Sequence, residues 1–241
     1  MDVEWLSADD VTLMPRQGIL KSRSEATIDS FIYSSPMDTV TGFSMIDSMI
    51  KANHYAVSCR FFSLKQRSIE ESNFRGNPNL FYSTGLSKEL VKSMYICGSA
   101  CNFKRNLSLD IAHGDTIYAH ELVKYAKSLN YFPKIMSGTI CTPEGAERAL
   151  LAGCTHIRVG VGSGSACTTR IMTGCGLPNL TAVYRIYKYL SSKYDKDSFT
   201  LVADGGIRSP GDAVKYLAAG AKGVMLGNVL SRAKESAGWL K

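Results

Sequence analysis

The sequence predicts an α/β fold, and within that class a (β/α)8 TIM barrel with a shortened C-terminal end. Three observations lead there. Short apolar runs alternate with helix-like segments along the 241 residues. The runs number eight, with seven crossovers between them. Polar residues and glycines follow the runs, and a barrel gathers all such strand ends on its C-terminal face. An open doubly wound sheet is the alternative, and it collects only a few of these loops at its switch point.

The candidate strands span 31–35, 55–58, 80–83, 107–110, 134–137, 156–159, 200–203 and 223–226. Amphipathic helices are predicted over 116–129, 143–152, 180–192 and 210–219. Thr142-Pro143-Glu144 sets a capping residue before a proline at the first helical position, and Ser209-Pro210 repeats the device. Gly153 and Gly220 stand where a helix-ending glycine belongs. The strand-end loops are Pro36-Met37-Asp38, His113-Gly114-Asp115, Gly138-Thr139, Gly162-Ser163-Gly164, Asp204-Gly205-Gly206 and Gly227-Asn228. Beyond Leu226 only 227–241 remain, room for one short closing helix.

Length and composition suit one barrel domain over 1–241. No apolar run approaches the roughly 20 residues that span a bilayer. The start, Met1-Asp2-Val3-Glu4-Trp5, is acidic and unlike a signal peptide, so a cytoplasmic protein without membrane partners is expected. Seven cysteines, an odd number without an export signal, argue against a disulfide framework. Cys97 and Cys101 have no second pair at zinc spacing. The net charge of +7 is scattered, with no aromatic-and-basic motif for nucleic acid. It reads as a solvated surface or as attraction to phosphorylated small molecules.

The chemistry concentrates in Gly162-Ser163-Gly164-Ser165-Ala166-Cys167-Thr168-Thr169-Arg170, directly after the sixth strand. Its glycines permit backbone turned inward, able to hold a phosphate by N–H groups or a monovalent cation by carbonyls. A Cys167 thiolate there can attack an electrophilic carbon, with Thr168 or Thr169 relaying a proton. A buried structural cysteine in a glycine-rich turn is the plain alternative. Asp204-Gly205-Gly206 offers a carboxylate to vicinal sugar hydroxyls and amides to a phosphate, or else a cap and a tight turn. With Gly227-Asn228 after strand eight it occupies the usual phosphate position of such barrels. Asp110 and His113 end strand four, where a histidine serves acid/base chemistry, a cofactor or a cap. Ser34-Ser35-Pro36-Met37-Asp38 ends strand one, where serines can bond a ligand and Met37 can pack on a flat base or simply fill core.

At this point a resemblance emerges. Cys167-Thr168-Thr169-Arg170-Ile171-Met172-Thr173-Gly174-Cys175-Gly176-Leu177-Pro178 resembles the catalytic loop of the IMP dehydrogenase/GMP reductase family. Ser35-Pro36-Met37-Asp38-Thr39-Val40, Asp110-Ile111-Ala112-His113-Gly114, Ala203-Asp204-Gly205-Gly206-Ile207-Arg208 and Val224-Met225-Leu226-Gly227 resemble its other barrel-end motifs, in the same order. Lys21-Ser22-Arg23-Ser24-Glu25 and Met172-Thr173-Gly174 are more similar to the reductase branch, and there is no room for the paired regulatory insert (CBS domains) usual in the dehydrogenases.

The resemblance implies NADPH-dependent conversion of GMP, or a related guanine nucleotide, to IMP and ammonia. Cys167 becomes the nucleophile at purine C2 and Thr169 its proton partner. Ser35, Met37, Ser165, Asp204, Gly205, Gly206, Gly227 and Asn228 take the nucleotide, with Asp204 on the ribose. Asp110, Ala112, His113 and Arg60 fall to the cofactor. The carbonyls of Gly162, Gly164 and Cys167 fall to a monovalent cation, potassium or sodium, and the assembly to a homotetramer. The sequence departs from the pattern at four places. Thr139 replaces an asparagine, Cys59-Arg60-Phe61 a histidine-containing motif, and Asn228 a small residue. The base-covering segment after strand eight, which carries a catalytic glutamate in the reductases, is not reached, and Glu235 lies too near the strand end to replace it. IMP oxidation with NAD and a non-catalytic nucleotide-binding protein are the competing readings.

Overall fold

The apolar runs form eight strands: β1 (Phe31–Ser34), β2 (Ala56–Val57), β3 (Leu80–Thr84), β4 (Asn106–Asp110), β5 (Ile135–Ile140), β6 (His156–Val159), β7 (Thr200–Asp204) and β8 (Gly223–Leu226). Between and after them run α1 (Phe43–Lys51), α2 (Leu64–Phe74), α3 (Lys88–Ala100), α4 (Ile117–Ser128), α5 (Pro143–Ala152), α6 (Thr169–Thr173), α7 (Asn179–Ser191) and α8 (Pro210–Ala218). These come from a computed structural model, which describes residues 4–27, 30–165 and 167–238.

All strands are parallel, in the order β1-β8-β7-β6-β5-β4-β3-β2. A Tyr33–Tyr55 bridge closes the ring. There Tyr55 N donates to Ile32 O at 2.9 Å and Ser34 N to Tyr55 O at 3.0 Å. The expected barrel is therefore present.

The predicted caps act as expected. Thr142 Oγ1 accepts from Gly145 N and Ser209 Oγ from Asp212 N, each at 3.2 Å, which satisfies amides left free in the first turn of each helix. The predicted elements agree with the observed ones to within one residue at each end, except at the end of strand five. Gly138-Thr139 is not a loop after strand five but the interior of β5. Thr139 N donates to Ile111 O at 2.9 Å and Gly114 N to Thr139 O at 2.7 Å, so the β4–α4 loop extends the pairing. After β8 only a 3-10 turn, Leu230–Arg232, forms among the described residues. The chain then crosses the β1–α1 loop, with Gly238 N on Thr39 O at 3.0 Å.

Most apolar burial lies between the strands and the helices outside them. The barrel interior has its own cluster of Tyr33, Tyr55, Val57, Phe81, Met136, Val202 and Met225. Alternation along β6 sends His156 and Arg158 to this inner side. The His156 ring stands edge-on to Phe81, centroids 5.2 Å apart, and its Nδ1 lies 2.9 Å from Thr155 Oγ1. Burial, aided by the Lys134 charge, holds this imidazole neutral, its pKa lowered from 6.5 to about 3.

A depressed histidine contributes stability that is complete above pH 6.5 and is lost as the pH falls below it, because the unfolded chain then binds a proton the folded one refuses. The slope is about 1.4 kcal/mol per pH unit, so about 2 kcal/mol is lost by pH 5. Urea unfolding across that range should show this slope, and His156→Gln should flatten it. An unchanged slope in that variant would mean the ring is accessible to protons.

Candidate active site

The strand ends converge on a cavity of about 840 Å³ at the C-terminal mouth of the barrel. Its wall includes Cys167 and Thr169 from the β6–α6 loop, Ser165 and the Gly162 and Gly164 turn. Asp204, Gly205 and Gly206 from β7 join it, as do Gly227 and Asn228 after β8. Ser35 and Met37 after β1, and Asp110 and Ala112 after β4, complete the set of residues that sequence reasoning placed there. His113 and Arg60 do not line it. His113 is exposed on the β4–α4 loop, and Arg60 reaches the rim only through Asp110, with Nε 3.6 Å from Oδ2.

Cys167 is exposed at the mouth, and its Sγ donates to Thr169 Oγ1 at 3.2 Å. Thr169 opens α6, so the hydroxyl facing the thiol is fixed by the first residue of a helix. The Cys167 amide donates to Gly164 O at 3.0 Å and closes the turn before it. The thiol and hydroxyl that the sequence paired are in hydrogen-bonding contact.

The β7 end is held from behind. Asn179 Nδ2, at the start of α7, donates to Asp204 O at 2.9 Å and to Gly205 O at 3.2 Å. Ser163 Oγ donates to Asp204 O as well. Gly205 has φ +87°, and a Cβ on it would stand 2.6 Å from the Gly164 amide nitrogen. A side chain there would push the β7 turn off the cysteine loop, so this glycine is what lets the two loops touch.

Sequence reasoning missed the residue that ties the floor together. Arg158 Nη1 donates to Asp110 Oδ1 at 2.8 Å, and its Nε forms an ion pair with Asp204 Oδ2 at 2.9 Å. One buried guanidinium thus spans the two carboxylates that end β4 and β7. Burial pushes the Asp204 carboxyl above its ordinary range, with Arg158 pulling it down and Asp110 pushing it up. Gly138 makes room for this arginine, since a Cβ there would stand 2.5 Å from Arg158 Cβ. The available signal was an arginine two positions after His156, on the same inward face of β6. Charges of that kind are buried only when paired.

The β4–α4 loop has its own anchor. Asp115 accepts from Arg148 at 2.9 and 2.6 Å and lies 3.0 Å from His120 Nε2. The Arg148 hydrogen bonds, foremost, hold its carboxyl down at about 2. Asp115 therefore serves structure and not substrate, and it fixes the loop that carries Ala112 and His113.

Comparison with known proteins places this arrangement in context. The family described as the IMP dehydrogenase / GMP reductase domain matches residues 102–240. The chain is 32% identical to GMP reductase 2 of Bos taurus over 253 residues, covering 98% of this chain and 71% of the relative. It is also 32% identical to GMP reductase of Escherichia coli O81 (strain ED1a), covering 97% and 71%. Among solved structures, inosine 5′-monophosphate dehydrogenase from Legionella pneumophila is similar with TM-score 0.83 at 29% identity, over 97% of this chain and 72% of that one.

Proposed function

The chain belongs to the IMP dehydrogenase / GMP reductase family, and on that premise we propose that it converts GMP, or a related guanine nucleotide, to IMP and ammonia with NADPH. The observation that carries the reading is the Cys167 thiol 3.2 Å from the Thr169 hydroxyl, on the wall of a cavity shared with Asp204 and its glycine turn. Similarity to proteins named GMP reductase supports the direction of the reaction.

In this reading the Cys167 thiolate attacks purine C2 and forms an S–C2 bond. The bond from C2 to the exocyclic nitrogen breaks, and that nitrogen leaves as ammonia with a proton relayed through Thr169. NADPH, when bound, supplies the hydride that replaces sulfur at C2 and frees the thiolate with IMP. Asp204 presents its second oxygen to the ribose hydroxyls, since Arg158 holds Oδ2. Ser165, Asn228 and the amides of Gly205, Gly206 and Gly227 serve the phosphate, and Ser35 and Met37 serve the base.

Asp110, Ala112, His113 and Arg60 take the nicotinamide end. Asp110 and Ala112 lie on the cavity wall and support this end directly, whereas Arg60 stands behind Asp110, Nε 3.6 Å from Oδ2, and His113 lies on the exposed loop beside them. A cytoplasmic homo-oligomer of one barrel domain without a regulatory insert completes the proposal. No helix among the described residues is long and apolar enough to cross a membrane.

Anaerobic incubation with GMP and NADPH, followed at the nicotinamide absorbance with ammonia measured in parallel, tests this. Oxidation with matching ammonia is expected. Turnover of IMP with NAD instead would reverse the assignment, toward the activity named for the Legionella neighbour. A ligand-induced thermal shift without turnover of GMP, dGMP or IMP would leave a purine-nucleotide-binding protein. Asp204→Ala is expected to weaken GMP binding by about 1.5–3 kcal/mol, the scale of hydrogen bonds to a charged group. Titration calorimetry reads it, and unchanged affinity would remove Asp204 from the sugar site.

A further inference from the structure

The family resemblance points to a monovalent cation on the carbonyls of Gly162, Gly164 and Cys167, but the loop carries a cation of its own. Arg170 Nε donates to Val161 O at 2.8 Å, and its Nη2 donates to Leu177 O. Val161 follows β6 and Leu177 precedes α7, so one guanidinium joins the two ends of the loop that presents Cys167. Bonds from an ionised donor to carbonyls are the stronger class of hydrogen bond.

The glycines of the loop fit this arginine. Gly162 has φ +64°, and a Cβ on it would stand 2.5 Å from Arg170 Cγ. Gly176 has φ +150°, and a Cβ there would stand 2.6 Å from Arg170 Nε. The Gly164 carbonyl already accepts the Cys167 amide at 3.0 Å. The guanidinium sits on the Val161 carbonyl, next in sequence to Gly162, so a metal ion at the Gly162 carbonyl would face its charge. The residues present therefore do not fit a potassium or sodium site.

We infer that Arg170 is a positioning residue that closes the cysteine loop from within, so that Cys167 is presented independently of any monovalent metal ion. Arg170 lies in α6, whose first residue Thr169 holds the thiol, so movement of the guanidinium is transmitted to Cys167. The functional meaning rests on Cys167 being the nucleophile, whereas the geometry is tested without turnover.

The experiment measures alkylation of Cys167 by iodoacetamide in the full chain. Labelling is resolved by peptide mass spectrometry so that Cys97, Cys101 and Cys175 are read separately. Rates and their pH profiles are taken in potassium, sodium and choline chloride at equal ionic strength. The wild-type rate and pH profile should agree among the three salts. Arg170→Met, which removes both hydrogen bonds, should change the rate by at least about tenfold, the lower end of the scale for one charged hydrogen bond, and added methylguanidinium should return it toward wild type. If that variant does not fold, Gly176→Ala, which displaces the guanidinium and keeps its charge, should alter the rate in its place. A saturable response of the wild type to potassium, or wild-type labelling in folded Arg170→Met or Gly176→Ala, overturns the inference. Absence of GMP turnover with salt-independent labelling would instead sink the proposed reaction and leave the role of Arg170 standing.

Discussion

Cys167→Ala is expected to lower GMP turnover by at least about 10³-fold, because it removes the atom that bonds to purine C2. Nucleotide affinity should stay close to that of the wild type. The groups assigned to sugar and phosphate, Asp204, Ser165 and the glycine turns, lie elsewhere on the cavity wall and keep their supports from Asn179 and Ser163. Folding should be little affected, since Cys167 is exposed and exposed substitutions usually stay within about 0.5 kcal/mol. Acid-quenched wild-type enzyme with GMP should carry a purine adduct on the peptide containing Cys167. Cys175→Ala is the control, its thiol being exposed with a single long contact to Thr173 O at 3.5 Å. Turnover persisting in Cys167→Ala would end the covalent mechanism whatever the nucleotide affinity.

The parts of the molecule that were legible in the sequence are those whose cause is local. Each strand is an apolar run with its turn residues at its end, and Thr142-Pro143 and Ser209-Pro210 cap their helices through their own neighbours. The Cys167–Thr169 contact spans two positions and needs only a turn. What escaped depends on distant partners. The extension of β5 through Gly138-Thr139 exists because the β4–α4 loop folds back onto it. Helix α2 has almost no apolar face, and its one buried residue is Glu70, paired with Arg67. Arg67 in turn donates to Cys59 O at 2.8 Å and Ser83 O at 2.9 Å, clamping two strand ends. A helix held by charge rather than by apolar periodicity gives little signal to pattern reading. Arg60 and His113 sat beside the right motifs, but their placement off the cavity wall follows from loop geometry that no spacing reveals.

Arg158 was the most consequential omission, and its removal is expected to cost the fold most. Arg158→Met should destabilise the barrel by up to about 3–5 kcal/mol, the range for breaking a buried ion pair by deleting one partner, reduced by the partial exposure of the two carboxylates. Asp204 would lose its only ion-pair partner among the described residues, and Asp110 would keep only the longer approach of Arg60 at 3.6 Å. The pH dependence separates this from a simple packing defect. A buried aspartate whose folded pKa lies above its unfolded one contributes stability below the unfolded value and loses it as the pH rises through the folded one. The Asp204 carboxyl is already raised with Arg158 in place, and without it burial acts unopposed. The penalty of Arg158→Met should therefore be smaller near pH 5 than near pH 8 in urea unfolding. A cavity left by a lost side chain would cost the same at both. Arg158→Met/Asp204→Asn should recover much of the loss at pH 8, because the second change removes the stranded charge. Failure of both signatures would mean that water reaches the barrel floor and screens the two carboxylates. In that case Asp110 and Asp204 would titrate separately, and the cofactor and sugar ends of the proposed site would not be mechanically linked.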